Sequence, residues 1–431
     1  MFGKSLLIFC LVFFILNIGM FPVNSSNYNG NYFSLSFFDV VVPDDYESIQ
    51  DAIDNASEND CIYVKSGVYF ESIIVDKKGI SLIGENRSTI ICGMASINSV
   101  IIFSDYVKIS NFSIVGSISS GIVINSSFVE IDNVLVGSCG GNGIELLGSD
   151  NVIIENCDIT NINDSAIFLR ESKNNIIRKN SIIGNKNYNH NDSANILNGI
   201  ILSKSDNNII EKNNIQYPKE YGIDIVYSNQ NIISDNRIEN SYFNGMILYS
   251  CNNSLVINNF IGRNYEDGLW IYYSNNNKFV NNTIDNNYWN GIDIVESFNN
   301  LLKGNIISNH SDFACGFYYM DENNITGNLF IDNQYGLYFY ESNDNNISKN
   351  NFIENDIHSY FYDSIGNHWS QNYWDDWIGL RFRFGIKKLI LRLFPKFISG
   401  KMIIRQRERT RFNFDLSPVD IPYNINDKIK G

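Results

Sequence analysis

Histidine and cysteine are scarce in this chain, with four His and seven Cys in 431 residues. The His, at 190, 310, 358 and 368, are scattered, and no Cys spacing fits a zinc site or a disulfide framework. The cysteines therefore read as small buried hydrophobes. The six Met are not clustered as a soft copper site requires. A single GGNGIELLG at Gly140, with Glu145 where a calcium-binding repeat has Asp, supports no calcium site. The sequence thus predicts no metal and no other cofactor. Basic charge is lacking too. The formal charge is −15, yet residues 377–431 hold thirteen Lys and Arg against four Asp and Glu, so residues 1–376 carry −24. So acidic a surface is not expected to bind nucleic acid or anionic polymers along its length.

What is present is repetition. Glycines stand at 199, 222, 245, 268 and 291, an unbroken spacing of 23. Each opens a phrase such as GIDIVYSNQNIISDNRI from Gly222 or GLWIYYSNNNKFVNNTI from Gly268. A fixed period in the twenties marks a solenoid whose coils bury a common core. The register runs on through Asn231, Ile233, Asn236 and Ile238 to Asn345, Ile347, Asn350 and Phe352, and ends at Asn367, Trp369, Asn372 and Trp374. Towards the N-terminus apolar residues such as Val134 and Cys157 replace the Asn, which brings the count to twelve coils or more.

Each coil is expected to supply two short alternating strands, with Leu269 and Ile271 inward and Trp270 outward. Gly is expected at corners that need positive φ. The Asn columns are expected to stack as amide ladders, each Asn bonding backbone and the next Asn. Parallel strands joined by tight corners rather than helices give an all-β, single-stranded right-handed parallel β-helix. Ala166 replaces one corner Gly, and the next repeat Gly lies 33 residues on, so the segment NKNYNHNDSANILN must loop out. Tyr46–Ala56, with Ile49, Ala52, Ile53 and Ala56 at helical spacing, predicts a short helix capping the first coil. Residues 1–23, with Lys4, an apolar run from Leu6 to Ile18 and then Pro22, predict a secretory signal, or an anchor if retained. That expectation places the protein outside the cell or at its surface.

The segment PDDYESIQDAIDNAS…DCIYVKSGVYFESI…GISLIGE resembles the N-terminal cap and first coil of extracellular right-handed β-helix proteins, pectin methylesterases among them. The repeats resemble the NosD-like carbohydrate-binding and sugar-hydrolase (CASH) class, over about residues 42–376. NYWDDW and FDLSPVDIPYNI resemble the ending of archaeal members. The resemblance implies exported or cell-surface proteins that handle glycans; its named member is an accessory to copper-site assembly in a respiratory enzyme. The chain lacks the paired-Asp and Gly-His-Gly signatures of β-helix polygalacturonases and the Gln and Asp segments of pectin methylesterases. Fold alone does not decide activity.

Function is expected on outward positions of the first strand, because inward ones are committed to the core. Two residues after the corner come Asp224, Ile247, Trp270, Asp293, Tyr318 and Tyr338, and further out Tyr249, Tyr272, Met320 and Tyr340, beside Tyr273, Glu296 and Asp321. An aromatic and acidic face of this kind suits sugar rings and marks an interaction surface, although strands favour Tyr and Trp in any case. The predicted ligand-binding set is Asp224, Trp270, Tyr272, Tyr273, Asp293, Glu296, Tyr318 and Tyr338, and the expected partner is a glycan or cell-envelope polymer. A surface-structural or adhesive scaffold using the same face is the second reading. Catalysis by a hydrolase or lyase is the weaker one; Asp293, Glu296 and Asp321 are its candidate carboxylates. Residues 377–431 read as a basic C-terminal cap. Ile386, Leu389, Ile390, Leu393 and Phe394 are expected on one helical face, and the basic stretch 381–411 also fits peripheral membrane contact.

Overall fold

The computed structural model describes residues 38–93, 96–186, 196–377, 396–404 and 407–425. They form a parallel β-helix in which each coil has three strands, not two. In the coil opening at Gly222 these are Ile223–Val226, Ile232–Ser234 and Arg237–Glu239. Asp235, in the left-handed region at φ 55°, and Asn236 bend the chain where the sequence reads as one continuous strand. The three strands stack in parallel on their equivalents 23 residues later, Ile223 on Met246, Ile232 on Leu255 and Arg237 on Phe260. The third sheet has 14 strands, from Gly67–Tyr69 to Tyr373–Trp374, so the solenoid runs to about fourteen coils, in keeping with the twelve or more expected.

The inward positions alternate as expected. Ile223, Leu248, Leu269, Ile271, Ile292 and Ile294 are fully buried, and each stacks on the same position of the next coil. The repeat glycines, however, do not sit at positive φ. Their requirement is steric: a Cβ on Gly222 would lie 2.5 Å from the Gly245 carbonyl oxygen and 2.2 Å from Ile238 Cγ2. Ala166 keeps the register, its N–H donating to Asn198 O and Ile167 pairing with Ile200.

The amide ladders are present; the column through Asn236 is continuous, whereas in the column through Asn231 the Ser254 hydroxyl takes an amide's place and accepts the Asn231 N–H at 3.2 Å. The Asn236 N–H donates to Asn259 Oδ1 at 2.9 Å, and Asn236 Nδ2 donates to Ile210 O at 2.8 Å and Asn259 Oδ1 at 3.0 Å. The same pattern recurs down the column, which starts where the Cys157 N–H meets Asn180 Oδ1 and runs to Asn372. Cys139, Cys157, Cys251 and Cys315 are buried free thiols.

Both ends are closed. Helix α1 (Ile49–Asn55) buries Ile49, Ala52 and Ile53; Ser48 Oγ accepts the Asp51 N–H at 3.0 Å, and the Glu71 carboxylate accepts those of Ile49 and Gln50. The Ser48 cap starts the helix later than Tyr46. At the other end an antiparallel hairpin, Lys396–Ile404 with Arg407–Asp415, adds to the solenoid through Phe361↔Gly400, Tyr362↔Lys401 and Trp369↔Asp415. Buried Asp415 accepts the Asn372 N–H and Nδ2–H at 3.0 Å each and the Trp374 Nε1–H at 3.2 Å, all on Oδ2. Trp374, which stacks on Phe352 at 4.1 Å, is thereby covered. The predicted helix at 386–394, residues 1–23 and most of the looped segment 185–198 lie outside the described residues. Among the described residues no helix is long and apolar enough to cross a membrane.

Candidate functional site

The outward side chains of the first sheet form a groove whose floor, in register, is Asp224, Ile247, Trp270, Asp293, Gly316, Tyr338 and Tyr360. One wall comes from the next outward row of the same strands, including Tyr249, Tyr272, Val295, Tyr318 and Tyr340. The other wall is the corner preceding the sheet. There Glu266, Trp289, Asp312 and Tyr335 follow one another, each N–H donating to the carbonyl of the one before. Tyr318 therefore lies on the wall and not, as its spacing from Gly316 suggests, on the floor. Ala314 takes the corner place, as the close approach of Gly291 to its carbonyl shows, and Gly316 takes the floor position beside Asp293. Met320, expected outward, is fully buried.

Two aromatic platforms result. Trp270 stacks with Tyr272 at 5.5 Å, and Tyr272 with Tyr273 at 4.0 Å. Further along, Tyr338 stacks with Phe313 at 4.6 Å and lies parallel to Tyr360 at 6.1 Å, while Tyr340 faces Tyr362 at 5.1 Å. On the floor, Trp270 and Tyr338 are three coils apart, about 14 Å at the ordinary strand spacing.

Asp293 lies between the platforms. Its Oδ1 is buried and has no hydrogen-bond partner. A Cβ on Gly316 would stand 2.9 Å from Tyr318 Cε2 and 3.3 Å from both Tyr318 Oη and Asp293 Oδ1. The Tyr318 ring thus leans across the glycine towards the carboxyl group. Burial, reinforced by the negative charge of Asp267 and Asp312, pushes Asp293 up to about 8. Asp267 is buried and pushed up to about 6, although its Oδ1 accepts the Asn290 N–H at 3.0 Å. Burial also raises Asp312, and burial followed by the charge of Asp293 raises Tyr318. Asp267 and Asp312 escape sequence reading because they precede the corner and not the strand; the EDG run at 266–268 is the one visible signal.

The other predicted residues do not join this centre. Glu296, at φ 45° in the following corner, accepts from Tyr273 Oη at 3.4 Å. Asp321 Oδ1 accepts the Asn343 N–H at 2.8 Å, a backbone-bracing role shared by Asn252 and Asn275 in earlier coils. Asp224, three coils from Asp293 along the floor, is pushed up to about 6 by burial and then by Glu220. The three candidate carboxylates are thus distributed over separate environments.

At the C-terminal end a cavity of about 450 Å³ brings together His358, Asp375 and Asp376. His358 Nε2 is 2.7 Å from Asp375 Oδ1 and 3.4 Å from Asp376 Oδ1. Lys396 Nζ contacts Asp376 Oδ1 at 2.6 Å, so one of the two carboxylates already has a cationic partner.

The fold has relatives among solved structures. The A-module of mannuronan C-5 epimerase AlgE6 from Azotobacter vinelandii aligns over 74% of this chain and 89% of its own, at 14% identity and TM-score 0.50. The PL6 family polysaccharide lyase Pedsa3628 from Pseudopedobacter saltans aligns over 65% and 82%, at 12% identity and TM-score 0.47. Likeness at this level is one of fold. No curated protein matches the chain. The right handed beta helix region family matches residues 98–197 and 188–323, just over half the sequence. The chain belongs to the right-handed beta helix family.

Proposed function

We propose that the first-sheet groove binds an extended glycan chain. The observation that carries this reading is the pair of aromatic platforms, held on rigid strands about 14 Å apart with hydrogen-bonding carboxyl groups between them. Sugar rings stack their C–H faces on such platforms and turn their hydroxyls towards the acids. The coil repeat approximates the rise of one hexose unit, so successive rings fall into successive coils. A fold that elsewhere hosts a mannuronan C-5 epimerase is compatible with this reading but does not carry it. Export to the cell surface and membership of the NosD-like repeat class belong to the same proposal. So does membrane contact by the basic C-terminal stretch. A glycan-array screen of the folded chain tests the groove, and binding no greater than that of a heat-denatured control refutes it.

One observation favours a second reading, glycan cleavage. Asp293, pushed up to about 8, keeps its proton at neutral pH, as a general acid must. Loss of turnover with binding retained in Asp293→Asn is the result that reading requires.

A further inference from the structure

The geometry points to an amino sugar as the occupant of the groove's centre, its ammonium group seated against Asp293 between Asp267 and Asp312. This rests on the groove being a glycan site and specifies what kind of glycan it takes. Along the floor, both walls and the following corner, from Glu220 to Glu341, there are eight acids: Glu220, Asp224, Glu266, Asp267, Asp293, Glu296, Asp312 and Glu341. These rows contain no Lys or Arg. A uronate or sulfate placed there meets only like charge and finds no guanidinium or ammonium to receive it.

One of these acids is also without a donor. Asp267 has its backbone donor, Glu296 its tyrosine and Asp321 its amide, but Asp293 Oδ1 is buried without a donor. It lies on the outward side of the sheet above Gly316, where the row lacks a side chain. Burial displaces Asp224, Asp267, Asp293 and Asp312 upward, and acidic neighbours add to it for Asp224, Asp267 and Asp293. A ligand ammonium supplies both missing elements at once, N–H donors for Oδ1 and a positive charge for the cluster. The flanking rings of Trp270 and Tyr318 add faces that attract a cation. A neutral N-acetyl group brings one N–H donor and no charge.

Calorimetric titration of the full chain tests this with four probes: a fully deacetylated β-1,4-glucosamine pentamer, its N-acetylated counterpart, an oligoguluronate, and putrescine as a free cation. The glucosamine pentamer is expected to bind about tenfold or more tighter than the acetylated one, as a charge-assisted hydrogen bond in a half-buried site provides. The oligoguluronate is expected to be the weakest of the three saccharides. Asp293→Asn, checked for unchanged thermal unfolding at pH 5, is expected to abolish the preference, bringing the two pentamers to within about twofold of one another. Trp270→Ala is expected to weaken both amino and acetylated pentamers alike. Equal affinity of the two pentamers, both sensitive to Trp270→Ala, overturns the ammonium site and leaves the glycan groove standing. Putrescine binding as tightly as the glucosamine pentamer also overturns it, since the site then recognises charge without sugar. If no saccharide binds, the groove reading and this one fall together.

Discussion

Replacing Asn236 with Leu puts the amide ladder to a quantitative test. In the native column Asn236 Oδ1 accepts both the Asn213 N–H and one Asn213 Nδ2–H, each at 3.0 Å, and Asn236 Nδ2 reaches Ile210 O at 2.8 Å. Leucine supplies none of these. Asn213 Nδ2 keeps its bond to Ile177 O at 2.9 Å, and Asn259 Oδ1 keeps the residue-236 N–H. The fully buried Asn213 N–H is left without an acceptor, which costs about 1–3 kcal/mol, and the other lost bonds add about 1 kcal/mol each. Set against the better burial of an apolar side chain, the net loss is about 2–4 kcal/mol. At about 2 °C per kcal/mol for a large unit, Tm falls by about 4–8 °C. Because solenoids open by sections, amide hydrogen exchange at Asn213 is the sharper assay, and its protection is expected to fall before that of distant coils. Lys303→Leu, exposed on the second sheet, is the control. A Tm change for Asn236→Leu no larger than the control's refutes the ladder's energetic role. The Val134 and Cys157 coils show that an all-apolar column is feasible; a mixed one is what is expected to destabilise.

Four further outcomes are expected. Trp270→Ala weakens glycan binding with about 0.5 kcal/mol or less change in stability, because the ring is on the outward face; a large drop in Tm would assign it to packing instead. Carboxyl groups raised in the fold stabilise it fully below their unfolded pKa and lose that contribution as pH rises through the folded value. With Asp224 and Asp267 at about 6 and Asp293 at about 8, stability falls across pH 4 to 8, and Asp293→Asn removes the part of the fall above about pH 6 in a Tm–pH series. Deleting 377–431 removes Asp415 and the hairpin, so the truncated β-helix is expected to melt lower and aggregate; a truncated form that is equally stable but no longer sediments with anionic vesicles would favour the membrane role. At neutral pH a maleimide labels half-exposed Cys61 and Cys92 but not Cys157 or Cys251, whose thiols burial pushes up to about 12, until denaturant is added.

The fold was legible in the sequence because its signal is redundant: the 23-residue glycine spacing and the Asn and Ile columns all specify the same coil. What escaped were features with one-residue causes. The third strand was hidden by Asp235, whose left-handed backbone breaks a run that looks continuous. Tyr318 was displaced by one row because Gly316 looks like a corner glycine while Ala314 fills that place. The outward face and its aromatics were readable from alternation. The acidic centre was not, because Asp267 and Asp312 act on Asp293 across coils from a corner, and sequence distance carries no information about that proximity.

The ladder has a direction. From Asn180 to Asn372 each side-chain carbonyl faces the coil before it, and each residue's N–H and one Nδ2–H face the coil after it, while Nδ2 also reaches a backbone carbonyl of the coil before. The aligned amides therefore form a column of dipoles with acceptors at one end and donors at the other, as along a helix axis. Asp415 places an anion at the donor end, where a further coil would otherwise continue the series. Two such rods could join only head to tail, never head to head. The carboxylate and the hairpin that carries it occupy the joining position at this end, as helix α1 covers the other, so the rod stays finite instead of becoming the first segment of a fibre.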